Sequence, residues 1–352
     1  MSAASRIHCY LHASIDALRR ARGGGRSDSE LILASGLFDP VFYISQYPDV
    51  AAAGFDPALH YLTWGSREGR RPNLFFDSLW YSDRNPNAAG MNPLVHYIRD
   101  GQREGRAAQK RCVVYTAITG RFDEMRVPAA IDPELDYIVF ADDQLPPPPK
   151  PWIRAELPER HGNCRLDARY VKTHPHILLP GYEISAWVDG AFQLKNLTAD
   201  GMEAVSRIGP IGLFAHPYRR CAYDEAKTVR ESRLDSSEAV SIVMRQLEAH
   251  GFPSDAGLVE TGIVIRNHRD ERVVAAMEEW WEMIRRGSIR DQLSINFVLW
   301  KQGLLFVGLP GNSRNNDWAV LIGHRAGPDE KSAADGEPAS SSLTLPDTEI
   351  AR

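Results

Sequence analysis

The hydrophobic pattern of this chain changes period once along its length. Between residues 38 and 106, aromatic and aliphatic positions recur at helical spacing in short bursts, each cut by Asp-Pro, Asn-Pro or Gly. From Lys110 the bursts give way to short continuous runs of β-branched and aromatic residues. Residues 112–118 (CVVYTAI) and 137–141 (YIVFA) are too short for helices and predict buried parallel strands; 183–189 (EISAWVD), 211–215 (IGLFA) and 257–265 (GLVETGIVI) continue the series. Between them, 166–179 and 236–250 carry helical periodicity. In a further helix opening near Asp270, residues Val273, Val274, Met277, Trp280, Trp281 and Ile284 share one face. Strands alternating with helices predict an α/β sheet that binds its ligand at the carboxyl ends of the strands.

The first regime is an internal repeat. FDPVFYISQYPDVAAAGFDPALHYLTWGSREGR (38–70) is followed by FDSLWYSDRNPNAAGMNPLVHYIRDGQREGR (76–106). Phe38, Asp39, Tyr43 and Pro48 recur as Phe76, Asp77, Tyr81 and Pro86; His60, Tyr61, Gly65, Glu68, Gly69 and Arg70 recur as His96, Tyr97, Gly101, Glu104, Gly105 and Arg106. Asp39 and Asp77 are expected to cap one short helix per copy, and Asp56-Pro57 and Asn92-Pro93 to open a second. The glycines at 65, 69, 101 and 105 are expected to stop it. Two short helices cannot bury their apolar faces alone, so the copies must pack on each other or on the next domain. The repeated His-Tyr and Glu-Gly-Arg are read as packing and capping elements in preference to a glycan-binding surface.

The chain divides into four units: an N-terminal helix and flexible linker (1–37), an all-α two-copy repeat module (38–110), an α/β domain (111–325) and a disordered tail rich in Ala, Ser, Pro and charge (326–352). Segment 2–22 is broken by charge and reads as an amphipathic helix, not a signal peptide. A net charge of −5 gives no reason to expect nucleic acid as a partner, and no apolar run approaches the roughly 20 residues that span a bilayer. The cysteines, Cys9, Cys112, Cys164 and Cys221, form no close pair and no metal-type spacing, which points to the cytoplasm; peripheral attachment at the inner membrane face is the other location considered.

Candidate chemistry gathers at the predicted strand ends. The turn Tyr115-Thr116-Ala117-Ile118-Thr119-Gly120 is small enough for backbone amides to approach a nucleotide, and Asp142-Asp143 follows the second strand. Asp189 leaves an apolar strand onto Gly190, a position suited to a divalent cation that neutralises diphosphate. Ala191 stands where a second acid would complete the pair, and His324 is the distant second ligand considered. Arg165, Arg169 and Lys172 fall on one side of a helix and suit diphosphate or a sugar carboxylate. Glu260 precedes a glycine on a strand, and Asp291 opens a helix, where it is either a sugar-facing carboxylate or a cap. His174, His176 and His216 lack the acids or thiols that would make them a zinc site.

In order, YTAITGRFDEM, DYIVFADD, DARYVKTHPHILLP, YEISAWVDG, FAHPYRRCAYDEA, GFPSDAGLVETGIVIRNH and RDQLSINFVLWK resemble a plant and bacterial family that includes the turgor-defect and seed-mucilage-related proteins, glycosyltransferase-like and formerly a domain of unknown function. The tandem repeat is similar to units attached to bacterial glycosyltransferases. The resemblance implies a GT-A-type (Rossmann-like) fold over about 111–324 and a nucleotide-diphosphate sugar as donor. On it, Thr116, Thr119 and Gly120 line the nucleotide turn, with Asp142 near the base or ribose. Arg169 and Lys172 hold diphosphate or donor sugar, and Asp189 with His324 meets a divalent metal, manganese or magnesium. His216, Glu260 and Asp291 face sugar and acceptor, with Asp291 or Glu260 as the base of an inverting transfer.

The function expected is transfer of a hexosyl or uronosyl group to a glycan or glycolipid acceptor, in surface polysaccharide synthesis, by an inverting or a retaining route. The alternatives are a non-catalytic glycan-binding scaffold on the same fold and a hydrolase of lipids or amides. Because the nucleotide turn begins only at Tyr115, the repeat module is expected to be separable from donor binding.

Overall fold

The computed structural model describes residues 27–120, 123–143, 145–158 and 160–323. The expected N-terminal helix, the tail and His324 lie outside these residues. The helical part contains α1 (Asp28–Ala34), α2 (Pro40–Gln46), α3 (Pro48–Ala52), α4 (Pro57–His60), α5 (Ser78–Arg84) and α6 (Pro93–His96). Asp39, Asp77, Asp56 and Asn92 each accept backbone N–H bonds from the first turn of the helix that each precedes.

The two copies close in the same way. Tyr43 Oη lies 3.0 Å from His60 Nδ1, and Tyr81 Oη lies 2.8 Å from His96 Nδ1, with all four side chains buried. These bonds correct the role expected of Gly65 and Gly101. Each lies within a π-helical turn continuing the second helix, where a Cβ would collide with Tyr43 Oη or Tyr81 Oη. They make room for the tyrosine and do not stop the helix. Gly69 and Gly105 end the unit, with φ of +75° and +67°. Beside them Arg70 and Arg106 pair with Glu68 and Glu104 of their own Glu-Gly-Arg.

Residues from Cys112 onward form a mixed α/β unit. Its strands are β1 (Cys112–Ile118), β2 (Leu135–Ala141), β3 (Ile153–Glu156), β4 (Ile184–Val188), β5 (Phe192–Leu194), β6 (Ile211–Ala215), β7 (Val259–Asn267), β8 (Val307–Leu309) and β9 (Ala319–Leu321). Its helices are α7 (Cys164–Thr173), α8 (Pro175–Leu178), α9 (Ala199–Ile208), α10 (Ala222–Glu231), α11 (Ser237–Ala249), α12 (Glu271–Arg286) and α13 (Gln292–Lys301). The seven-stranded sheet has the order β3-β2-β1-β4-β7-β6-β8, and β5 pairs with β9 separately. Alternate residues of the buried strands feed two cores: Val113, Tyr115 and Ala117 face α7 and α10–α13, and Cys112 and Val114 face α9.

The expectation of an all-parallel series fails at β7, which runs antiparallel to both β4 and β6. A continuous apolar run is buried on both faces in either direction, so composition could not assign its sense. The reversal carries the start of β7, Glu260-Thr261-Gly262, to the sheet edge where β1 and β4 end. There Leu213 of β6 pairs with Val264 while the next residue, Phe214, pairs with Glu260, so 261–263 bulge from the β6 ladder. The helix expected at 166–179 breaks at His174, because Pro175 cannot continue its hydrogen bonding and opens α8 instead.

The repeat module does not merely precede the sheet. Asp136 of β2, buried, accepts from both terminal nitrogens of Arg71, from Tyr182 Oη at 2.6 Å, and pairs with Lys110 Nζ at 3.0 Å. Arg71 also pairs with Asp77, the cap of α5. Removing the module would therefore leave a buried carboxylate short of its main counter-ion, a cost that separability from donor binding has to meet. Arg71→Met should lower stability by about 3–5 kcal/mol in urea-induced unfolding. A loss below about 1 kcal/mol, the value typical of a surface pair, would show that the contact is not a structural anchor.

Candidate active site

The chain passes from β1 through β2 to β3 on one side of β1 and then returns to place β4 on the other. At such a switch point the loops leave in opposite directions and open a crevice at the carboxyl ends of the strands. A cleft of about 310 Å³ lies there, with Ala117 and Thr119 from the end of β1 and Trp187, Asp189 and Gly190 from the end of β4. The bulged start of β7 adds Glu260, Thr261 and Gly262; α7 adds Arg165 and Arg169; the segment before α13 adds Arg290 and Asp291; and the loop between β8 and β9 adds Arg314. The two glycines are required by close approach. A Cβ on Gly190 would stand 2.6 Å from Ile118 Cδ1, and one on Gly262 would stand 2.7 Å from the Phe192 ring.

Asp291 forms the floor. Its Oδ2 lies 2.6 Å from Lys172 Nζ and 3.1 Å from Arg169 Nε, and its Oδ1 accepts from Thr261 Oγ1 at 2.9 Å. Lys172, at 0% exposure, also stands 3.7 Å from Asp189 Oδ1, with the faces of Trp187 and Trp280 at 5.6 and 5.5 Å. The backbone of Asp291 is fixed too: its carbonyl accepts from Trp280 Nε1 at 3.0 Å. Asp235 accepts from Ser288 Oγ and Ile289 N–H and so holds the segment leading into it.

The helix-cap alternative for Asp291 is corrected by this geometry, since its side chain makes no capping bond to α13. The ion pairs weigh against the base alternative as well. Burial alone would raise its pKa, but Arg169 and Lys172 outweigh burial and hold the carboxyl far below the ordinary carboxylate range. A carboxylate so paired is a poor proton acceptor.

Glu260 is in the opposite state. Burial pushes its pKa up and Arg314, 3.6 Å away, only partly opposes the shift. Behind it His216 Nε2 lies 3.9 Å from Glu260 Oε1, and His216 Nδ1 accepts the N–H groups of Tyr218 and Arg219. Its Nε2 faces both Glu260 and, at 3.3 Å, Arg219 Nη2. Burial and then Arg219 lower the His216 pKa, which keeps the ring neutral.

Of the nucleotide-turn residues, Thr119 lines the cleft, with its hydroxyl bonded to the Cys164 carbonyl. Gly120 and Asp142 do not line the cleft. Gly120 N–H donates to Asp142 Oδ2 at 2.9 Å, and the two tie β1 to β2. Thr116 is buried with an unpartnered hydroxyl and lines a small separate cavity beside Trp152 and Phe192. His174 and His176 lie apart from the cleft and share Glu278.

Asp189 fits a dedicated metal centre poorly. Its Oδ1 accepts from Trp187 Nε1 at 2.6 Å and faces the Lys172 ammonium, which leaves Oδ2 as its one available ligand atom. Among the described residues, no three His, Cys, Asp or Glu side chains come together in a metal-holding group. Sequence reading gave no role to Arg314, Thr261, Asp123 or Arg290, all of which line the cleft. The signal available was Arg290-Asp291, a charged pair directly before the apolar α13.

No protein-family model matches the chain, and no curated protein sequence matches it. Solved structures with a similar backbone include mouse xyloside xylosyltransferase 1 (10% identity, 57% of this chain and 84% of that one, TM-score 0.33). Core-mannan synthase A from Aspergillus fumigatus, in a Mn/GDP form, is similar at 12% identity over 56% of this chain and 71% of that one (TM-score 0.35). The bifunctional glycosyltransferase WbbM is similar at 10% identity over 80% of this chain and 60% of that one (TM-score 0.35). Among the described residues, no helix is long and apolar enough to cross a membrane.

Asp291→Asn should cost about 3–5 kcal/mol, because it strands Arg169 and Lys172 in a buried setting. A lost cap would cost about 1 kcal/mol or less. Because its pKa is depressed in the folded state, the stability Asp291 contributes is present above its ordinary value of 3.8 and is lost as pH falls below it. Unfolding curves from pH 7 down to 3 should therefore show a shallower acid decline for the Asn variant. Equal declines would contradict the ion-pair assignment.

Proposed function

We propose that this chain is a glycosyltransferase that moves a sugar from a nucleotide-diphosphate donor to a hydroxyl of a glycan acceptor, on a GT-A-type sheet. One observation carries the proposal: the switch-point cleft is walled by Arg165, Arg169, Arg290 and Arg314 over the buried cation Lys172. Guanidinium groups bind diphosphate oxygens in pairs, and fixed cations at the cleft wall stabilise the charge that develops as the diphosphate leaves. The ordered sequence blocks point the same way. Synthesis of a surface polysaccharide at a cytoplasmic site is part of the same proposal.

In this scheme the donor diphosphate lies along Arg165, Arg169 and Arg290, and Asp189 Oδ2 accepts from a ribose or sugar hydroxyl. The acceptor enters beside Arg314. Glu260 takes the proton of its hydroxyl, the acceptor oxygen bonds to the anomeric carbon, and the bond from that carbon to the diphosphate breaks with its electron pair on the leaving group. One carboxylate with a raised pKa at the cleft favours this inverting route. The hydrolase alternative loses its support, since His174 and His176 lie outside the cleft and His216 accepts two backbone N–H bonds.

The test starts from a thermal-shift screen of UDP-, GDP- and CDP-sugars, in which a bound donor raises the melting temperature. With the best donor, Glu260→Gln should lower turnover by roughly two to four orders of magnitude while leaving nucleotide affinity nearly unchanged. Glu260 must be ionised to act, and its pKa is raised above the ordinary 4.5, so the acid limb of kcat/KM should fall at a pH above 4.5 and vanish in the Gln variant. Near wild-type turnover in Glu260→Gln would remove it from the chemistry.

A further inference from the structure

We infer that the protein's own cations, centred on Lys172, neutralise the donor diphosphate, so that nucleotide binding at this cleft needs no divalent metal. The inference rests on the glycosyltransferase proposal and goes beyond it, because a metal at Asp189 is what the sequence resemblance implies. Three features of the structure argue against that ion.

The first is the donor set. With Oδ1 engaged by Trp187, Asp189 offers one oxygen and Ala191 stands where a second acid would be; Asp123 lines the same cleft, but among the described residues no three His, Cys, Asp or Glu side chains come together to hold an ion. The second is the occupant of the neighbouring space. Lys172 Nζ, 3.7 Å from Asp189 Oδ1, is held between two tryptophan faces and paired with Asp291, so it cannot swing away to admit a dication. An ion ligated by Asp189 would sit against a fixed ammonium in a site of low dielectric, where like charges repel strongly.

The third is the charge balance beneath the cleft. Arg266 is buried on β7, and its partners are all neutral: Tyr115 Oη, the Lys172 carbonyl and Met277 Sδ at 2.8 Å. Arg169 and Lys172 face Asp291, and Lys172 also faces Asp189 at 3.7 Å, so two carboxylates answer three cations. The floor therefore carries one positive charge in excess, and at the rim Arg165, Arg290 and Arg314 stand against Asp123 and Glu260. A diphosphate supplies the missing anion, and it needs no accompanying metal to do so. The shared Lys172 carbonyl, which accepts from both Tyr115 and Arg266, locks the backbone that places the ammonium.

Calorimetric titration of UDP, GDP and CDP into the full chain, in EDTA and again in manganese, tests this directly. The tightest of the three should bind in EDTA with a Kd within roughly fivefold of its value in manganese. Arg290→Gln, a change on the cleft wall, should weaken binding roughly tenfold or more in both buffers. Against a nucleotide–manganese solution without protein, the electron paramagnetic resonance signal of free manganese should fall no further when protein is added. Tightening beyond fivefold in manganese, loss of the free-manganese signal that Asp189→Asn restores, or unchanged affinity in Arg290→Gln would each overturn the inference and leave the glycosyltransferase proposal standing. Absence of nucleotide binding in both buffers would sink that proposal and the inference with it.

Discussion

The carboxylate of Asp291, held between Arg169 and Lys172, is the constraint on which the rest of the site depends. It joins α7 to the segment before α13, and through Thr261 it joins both to the start of β7. A buried charge of either sign is costly without a partner, so none of these elements can move independently. Trp280 Nε1 and Asp235 fix the backbone on either side of that segment. The shared carboxylate thus ties the walls of the cleft to one another.

Topology places the second half of the machinery. Strands that end together at a switch point bring Thr119 and Asp189 to one edge, but they would carry the start of a parallel β7 to the far edge. Only the antiparallel sense of β7, with its bulge over 261–263, brings Glu260 opposite α7. The helical repeats act from behind. Arg71 clamps Asp136 on β2, and β2 lies beside β1, whose end forms the cleft. The repeat module is therefore continuous with the sheet in its polar contacts.

Much of this was legible in the residues. The buried strands, the caps at Asp39, Asp77, Asp56 and Asn92, and the basic face of α7 come from periodicity and local hydrogen-bonding chemistry, which act within a few residues. What was not legible depends on distant partners. The sense of β7 is set by its neighbours in the sheet. The engagement of Asp142 with Gly120 spans 22 residues, and that of Lys172 with Asp291 spans 119. Arg314, in a loop without periodicity, reaches Glu260 only through the fold. Gly65 and Gly101 misled for a related reason: a glycine required by a tyrosine from another helix looks, in sequence, like a helix stop.

Of the carboxylates that line the cleft, Asp291 and Glu260 are pushed apart by their surroundings. Asp291 is paired, hydrogen-bonded and held ionised; Glu260 is desolvated, with a single guanidinium at a longer distance, and is pushed up. The sequence offered either as the base and put Asp291 first, since each is an acid at the mouth of a predicted element. The physical difference is the number and distance of fixed cations. Two cations close to Asp291 make it a permanent counter-ion, useful for holding Lys172 and Arg169 toward an anionic ligand. One cation farther from Glu260 leaves it able to gain and lose a proton near the range where an acceptor hydroxyl must be activated. On the reading proposed above, charge storage and proton transfer fall to separate groups, and the buried lysine paired with Asp291 takes the place that a metal ion would otherwise fill beside Asp189.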